Sequence, residues 1–290
     1  MRRVIRKNIG AWILLVPTVI LFVIILWQPL ISGLVLSFFE TKGYDAVRFC
    51  GLDNYVAVIK NSEFKASLSN TVQYVLWSLT IGYLWPVITA ILLNEISHMK
   101  SFFRFALYLP VMVPAMAASL IWKFIYEPSE GGIFNVLLSS LGLEPSTWLL
   151  DAKLVIPLIV LTMTWKAFGG TMLLYLASLQ GVNKDYYEAA SIDGAGFFRK
   201  IWYIQIPHIR GLMGLILIQQ IIGVFQIMQE PLAMTGGGPN NASLSLMLTS
   251  YNYAFKYFNA GRSMAVGAIA FVLLFGLTVI YQVASRKKDD

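Results

Sequence analysis

Long apolar runs alternate with short polar segments along almost the whole chain. The runs lie at about 11–38, 71–93, 105–125, 154–179, 211–229 and 263–284. Each is close to the ~20 residues that a helix needs to cross a hydrocarbon core ~30 Å thick. Because only helices satisfy their own backbone in lipid at such lengths, the pattern predicts an all-α membrane protein with six transmembrane helices. We interpret residues 1–290 as a single transmembrane domain. The first run is too long for a signal-peptide core, so we expect an uncleaved span.

Composition and charge support this interpretation. Hydrophobic residues make up 57% of the chain and charged residues only 13%, about half the charge that soluble domains carry. With the N-terminus inside, thirteen Lys and Arg fall in the inner segments and eight in the outer ones, an excess that predicts cytoplasmic termini. The net charge of +7 follows the loops and does not cluster on one soluble face. It therefore predicts contact with membrane lipid and no nucleic-acid partner.

One charged, motif-like segment, 180–210, separates the fourth and fifth runs. Asp185 followed three residues later by Glu188 is a capping-box pattern, which predicts that a helix starts there. Gly194 predicts the end of that helix, because glycine takes the left-handed conformation at no steric cost. A second amphipathic turn follows, and we expect Pro207 to end it.

These residues resemble the EAA loop of binding-protein-dependent ABC importer permeases. The resemblance rests on Glu188-Ala189-Ala190, on Asp193-Gly194 and on Ile206-Pro207. Ahead of the motif, Val182-Asn183 replaces the Ile-Pro that the family often has. The resemblance implies the type I importer permease fold, also called MetI-like, and a cytoplasmic coupling helix that docks into an ATP-hydrolysing subunit. The coupling residues that it implies are Glu188, Ala189, Ala190, Asp193, Gly194, Arg199 and Pro207.

The resemblance also implies partners and a location. The partners are a second homologous permease, a dimer of ATP-hydrolysing subunits and an extracytoplasmic solute-binding protein, and the location is the bacterial plasma membrane. The chain has no Gly-Lys dipeptide and therefore no Walker A loop, so ATP must be bound by another subunit. With two histidines and the single Cys50, we expect no metal site, no cofactor and no catalytic residues.

Two shorter motifs concern the solute. Gly51-Leu-Asp-Asn-Tyr55 and Thr235-Gly-Gly-Gly-Pro239 resemble the sugar-uptake branch of this family, the MalF-like or multiple-sugar type. This resemblance implies a sugar or an oligosaccharide as substrate, and a non-sugar solute such as glycerol phosphate stays open as the alternative. The first motif belongs to a polar outer loop, and the glycine run predicts a tight, exposed turn.

Several polar residues lie within the apolar runs. Lys166, beside Trp165, should face protein or water, because a charged group in the bilayer centre is costly. Gln219, Gln226 and Glu230 are spaced by seven and four residues, which predicts that they share one helical face. These five residues form our hypothetical substrate pathway. The alternative for each is a structural contact with a neighbouring helix or ring.

Two other function classes fit the sequence less well than an importer does. An ion-coupled secondary carrier would use Lys166 and Glu230 as a charge relay, but it has no use for the docking loop and usually shows an inverted repeat. A membrane-embedded enzyme would need His, Asp, Glu or Ser clustered on one face, and the sequence assembles no such set.

Overall fold

A computed structural model describes residues 9–96 and 98–286, which are mostly helical. The helices before residue 150 are α1 (Ile9–Phe22), α2 (Gln28–Leu36), α3 (Asp53–Lys60), α4 (Ser62–Trp77), α5 (Leu84–Glu95), α6 (Lys100–Met112), α7 (Ala115–Ile125) and α8 (Ile133–Ser140). The later helices are α9 (Val155–Gln180), α10 (Lys184–Ile192), α11 (Phe197–Lys200), α12 (Ile206–Phe225), α13 (Gln229–Met234), α14 (Leu246–Tyr251) and α15 (Ala260–Arg286). Short π-helical turns occupy Val23–Trp27, Ser78–Gly82, Ile201–Gln205 and Asn252–Lys256, and Trp148–Leu150 is a 3-10 turn. Two antiparallel strands, β1 (Phe39–Lys42) and β2 (Asp45–Phe49), form a hairpin.

The predicted fold class is confirmed. Among the described residues, five helical stretches are long and apolar enough to cross a membrane: Trp12–Leu36, Ser62–Glu95, Val155–Gln180, Phe197–Phe225 and Ala260–Val283. A sixth span results if α6 and α7 together form one broken span. The basic residues before residue 9 and after residue 286, which enter the prediction of cytoplasmic termini, lie outside the described residues.

The prediction of one continuous third span over 105–125 is wrong. α6 ends at Met112, α7 begins at Ala115, and the two helices are bent by 96°. The residue between α6 and Pro114, Val113, has an extended backbone with φ −72° and ψ 130°. The reason is steric, because a proline ring clashes with a helical conformation of the residue before it.

The chain divides into two compact units. The first contains the described part of Met1–Asn61 together with Ser250–Val272. In it the hairpin carries an ion pair, with Arg48 Nη2 3.0 Å from Glu40 Oε2. Asn54 is buried and its amide donates to the carbonyls of Ser37 and Phe39 at 2.9 and 2.8 Å. Asn54 therefore ties α3 to the chain between α2 and β1, and the Gly51–Tyr55 motif has a structural role within a segment predicted to be a polar loop.

The second unit contains Ser62–Thr249 and the described part of Leu273–Asp290. Its apolar core has two clusters of buried side chains. One gathers around Tyr74, Ile159 and Val224, and the other around Met172 and Ile209. Together they pack α4 and α5 against α9 and α12, and that packing creates the site described below.

Two predictions near the start of α4 are also wrong. The helix begins at Ser62 rather than near residue 71, because its polar residues find partners in the protein: Asn70 Nδ2 donates to the Leu244 carbonyl at 3.0 Å. The bond between Asn70 and Leu244 connects residues 174 positions apart, so no local pattern reveals it.

The Thr235–Pro239 turn is only partly exposed, since Gly237 is buried and Thr235 Oγ1 lies 2.7 Å from Ser243 Oγ.

Candidate functional site

The loop that resembles the family motif is built around helix α10. Asn183 caps this helix, since its side-chain oxygen accepts from the Asp185 backbone N–H at 3.0 Å. The helix therefore begins at Lys184, and the predicted capping box of Asp185 and Glu188 is not used. Asp185 lies instead in the first turn, where a carboxylate is favourable near the positive end of the helix dipole.

The predicted glycine break is confirmed. Gly194 has φ +71°, in the left-handed region. The Ala195 N–H donates to the Ala190 carbonyl at 2.8 Å and the Gly194 N–H donates to the Ser191 carbonyl at 3.1 Å. This pair of bonds is the Schellman motif, which satisfies carbonyls that a helix end leaves free. Both ends of α10 are thus closed by the chain itself, and the helix is a defined unit.

Pro207 does not end the second helix, which corrects the prediction. The chain is helical from Phe197 to Phe225 without a break. The π turn Ile201–Gln205 is followed by Ile206 and then by Pro207, which lies in the first turn of α12. Within this continuous helix the proline removes one backbone hydrogen bond, and a π turn beside it is a usual place for such an interruption of the hydrogen-bond ladder. π turns inside α-helices are frequent at functional sites. The fifth span therefore extends directly into the loop.

The loop exposes both polar and apolar side chains. Ile192 is 88% exposed and Phe198 is 81% exposed. Lys200 Nζ donates to Ser191 Oγ at 2.8 Å, which joins α11 to α10. Among the sequence-predicted coupling residues, Ala190 is half-buried and the others are exposed: Glu188, Ala189, Asp193, Gly194, Arg199 and Pro207. Exposed apolar residues among polar ones are typical of surfaces that contact another protein or a membrane.

A second candidate site is a cavity between α5, α9 and α12. It has a volume of about 260 Å³. Its polar lining is neutral and consists of hydroxyl and amide groups, with one aromatic ring: Thr164, Thr171, Gln219, Gln220 and Phe168. No Asp, Glu, Lys or Arg is among the residues that line it. Such a site can hydrogen-bond an uncharged polar molecule and offer it one ring face.

The π turn Ser78–Gly82 shapes one wall of this cavity. Gln220 Nε2 donates to the Ser78 carbonyl at 3.4 Å. Gly82 allows two side chains to approach closely, because a Cβ there would lie 2.8 Å from Thr164 Oγ1 and 3.0 Å from Gln220 Nε2. Gln220 is not among the predicted pathway residues, yet it lines the cavity beside Gln219. The adjacent pair of amides in an apolar run was the available signal.

The other predicted pathway residues lie apart from the cavity. The prediction that Gln219, Gln226 and Glu230 share one helical face is wrong, because α12 ends at Phe225 and Glu230 belongs to the separate helix α13. Beyond the end of α12, Ser245 Oγ donates to the Ile227 carbonyl at 2.5 Å. In a continuous helix this carbonyl would have no partner, because residue 231, four positions later, is a proline without an N–H.

Trp165 and Lys166 also lie outside the residues that line the cavity. Trp165 packs edge-on against Trp122, with ring centroids 5.5 Å apart. Lys166 is half-buried on α9. The cavity therefore contains one of the five pathway residues that the sequence predicts, Gln219.

Comparisons with known proteins agree with these features. Residues 82–289 match the family model described as "Binding-protein-dependent transport system inner membrane component". The chain is 30% identical to the arabinooligosaccharides transport system permease protein AraP of Bacillus subtilis, over 94% of this chain and 88% of that one. It is 32% identical to the trehalose/maltose transport system permease protein MalF of Thermococcus litoralis, over 83% and 81%. A crystal structure of a bacterial ABC transporter involved in alginate import contains a chain with the same fold, with TM-score 0.88, 22% identity and 98% coverage of both chains. The chain therefore belongs to the family of binding-protein-dependent transport system inner membrane components.

Proposed function

We propose that this chain is one of two permease subunits of an ATP-driven importer for a sugar or an oligosaccharide. The observation that carries the proposal is the exposed helix α10, which holds the Glu188–Gly194 motif and is capped at both ends. A helix closed in this way can be pushed as a rigid element. The names of the relatives AraP and MalF support a carbohydrate as the solute.

In this proposal residues 1–290 act as one permease domain with both termini in the cytoplasm. The coupling loop 180–210 docks into an ATP-hydrolysing dimer, which binds all the ATP. An extracytoplasmic solute-binding protein delivers the substrate to the outer loops. Closure of the ATPase dimer moves α10, and the two permeases alternate between outward-open and inward-open states. The chain itself performs no covalent chemistry and needs no cofactor.

We propose that the cavity beside Gln219 is part of the substrate route. Its amides and hydroxyls suit sugar hydroxyl groups, and Phe168 offers a ring face to the apolar face of a sugar. The absence of charged residues from its lining disfavours glycerol phosphate, whose dianion would need a basic partner. The proposal treats the four other predicted pathway residues as structural residues or as later contacts along the route: Lys166, Trp165, Gln226 and Glu230.

Reconstitution with its partners tests the function. The complete complex in proteoliposomes should accumulate a labelled mono- or oligosaccharide only when ATP and the binding protein are present. A protonophore should leave the uptake unchanged, since no ion gradient drives it. Uptake that stops with the protonophore and continues without ATP would instead support the ion-coupled carrier.

Gln219→Leu is expected to raise the KM of transport about three- to tenfold, the effect of losing one or two neutral hydrogen bonds. Among the described residues Gln219 makes no hydrogen bond and it faces the cavity, so its loss should not affect folding. The maximal rate should change by less than about twofold. Gln229→Leu is the control, because Gln229 is exposed and lies on α13. Equal KM values for both variants would remove the cavity from the route.

A further inference from the structure

A buried glutamine lies where the coupling loop enters the fifth span. Gln205 is the last residue of the π turn before α12, and its exposed fraction is 0%. Its Nε2 donates to Glu95 Oε1 at 2.8 Å. Glu95 is the last residue of α5, so this bond joins the end of α5 to the π turn before α12, 110 residues away in sequence.

The bond with Glu95 determines how the Gln205 side chain is oriented. Gln205 Oε1 is buried and has no hydrogen-bond partner within the described chain. A hydrogen bond from a buried amide to a carboxylate is among the stronger hydrogen bonds in proteins. The amide nitrogen of Gln205 is therefore hydrogen-bonded while its buried oxygen is not. An apolar side chain would fill the same space without this loss of free energy, so the glutamine points to a role beyond stability.

The same glutamine touches the coupling helix. The hydroxyl of Tyr187, on α10, lies beside Gln205 but outside hydrogen-bond geometry. Burial raises the pKa of Tyr187. The nearby Gln205 side chain lowers this pKa, and the negative charge of Glu95 raises it further. Tyr187 is one residue before Glu188 of the docking motif, so a displacement of α10 reaches Gln205 directly.

Gln205 lies at a position where the helix can bend easily. The π turn Ile201–Gln205 interrupts the regular hydrogen bonds, and Pro207 offers no N–H two residues later. π turns and prolines are the places where helices bend most easily. On the Glu95 side, α5 is joined to the start of α6 by Lys100 Nζ, which donates to the Asn94 carbonyl at 3.2 Å.

We propose that Gln205 is a positioning residue that transmits movement of the docked coupling helix to the inner end of the second span. Tyr187 pushes on Gln205, and Gln205 pulls on Glu95 through their hydrogen bond. α5 and α12 then move together, and both line the cavity between them. The inference rests on the proposed function, since it presumes that the ATPase drives α10.

A charge exchange at this pair tests the proposal. Gln205→Glu places two carboxylates against each other, and we expect sugar transported per ATP hydrolysed to fall at least about tenfold. The complex should still assemble and hydrolyse ATP. The double variant with Glu95→Gln restores a hydrogen bond of reversed direction, and its transport per ATP should return to within about threefold of wild type. Glu95→Gln alone keeps an acceptor oxygen and should behave like the double variant.

The control is Gln229→Glu, which adds the same charge at an exposed position of the same unit. Wild-type coupling by Gln205→Glu would overturn the inference. So would a loss that the double variant does not repair, since that outcome indicates simple misfolding. If the Gln205→Glu complex fails to assemble, Gln205→Leu is compared with Glu95→Gln. Only Gln205→Leu removes the hydrogen bond, so the inference requires that transport per ATP falls in that variant and not in Glu95→Gln. Absence of ATP-driven uptake by the wild-type complex would refute the proposed function itself, so the two failures are distinguishable.

Discussion

Glu188→Lys is expected to abolish uptake and the association with the ATPase while leaving membrane insertion and yield unchanged. Glu188 is exposed on α10 and has no ion pair or hydrogen bond from its side chain among the described residues. Reversing such a charge affects the fold little. In the proposed interface the variant loses the carboxylate that contacts the ATPase, and loss of one partner of a buried charged contact costs about 2–5 kcal/mol, which corresponds to about thirtyfold weaker binding or more. Co-purification of the ATPase and uptake into proteoliposomes are the measurements.

The matched control for this variant is Glu144→Lys. Glu144 is also exposed and undergoes the same charge change, but it lies between α8 and α9, far in sequence from the motif. Gly194→Val should reproduce the defect by another route, because φ +71° is strained for any L-residue by roughly 1–2 kcal/mol and worse for a β-branched one. A Glu188→Lys complex that still couples ATP hydrolysis to uptake would show that the docking assignment is wrong.

Gly169→Ala is expected to give the largest loss of folded protein. Gly169 is buried within α9, where a Cβ would collide with the carbonyl oxygen of Leu107 and lie 3.0 Å from the Cα of Tyr108. Both obstacles are backbone of α6, which cannot rotate away as a side chain would. Small residues that allow backbones to approach are the usual basis of helix packing in membranes. The overpacking should cost about 1–3 kcal/mol or more, seen as a lower melting temperature and yield in detergent.

The adjacent Gly170 provides the control for this prediction. A Cβ at Gly170 meets nothing within 4 Å. Gly170→Ala should therefore leave stability unchanged or raise it by up to about 1 kcal/mol, since alanine is the better helix former. If both variants melt at the same temperature, α6 and α9 do not pack as closely as the structure has them.

Local chemistry explains why much of this protein could be predicted from its sequence. A bilayer demands about twenty apolar residues for each helix, so the spans and their order are visible without tertiary information. The break of α10 at Gly194 was also predictable, because the left-handed conformation strongly favours glycine. The motif that begins at Glu188 identified the family because all its residues lie in one continuous stretch of sequence.

Local rules also produced the errors. They place a helix end at Pro207, yet the preceding π turn lets the helix continue. They extend the polar stripe from Gln219 to Glu230, although α12 ends at Phe225 and Glu230 lies on α13.

The sequence by itself determined the class of protein, the approximate positions of five membrane spans and the motif that begins at Glu188. Only the tertiary structure decided which polar residues meet: Gln219 with Gln220 and Thr164 around the cavity, and Gln205 with Glu95 beside α10. The physical reason is the range of the interactions. Hydrophobic length and backbone conformation act over a few neighbouring residues, whereas a hydrogen bond between residues 110 positions apart exists only after the helices have packed.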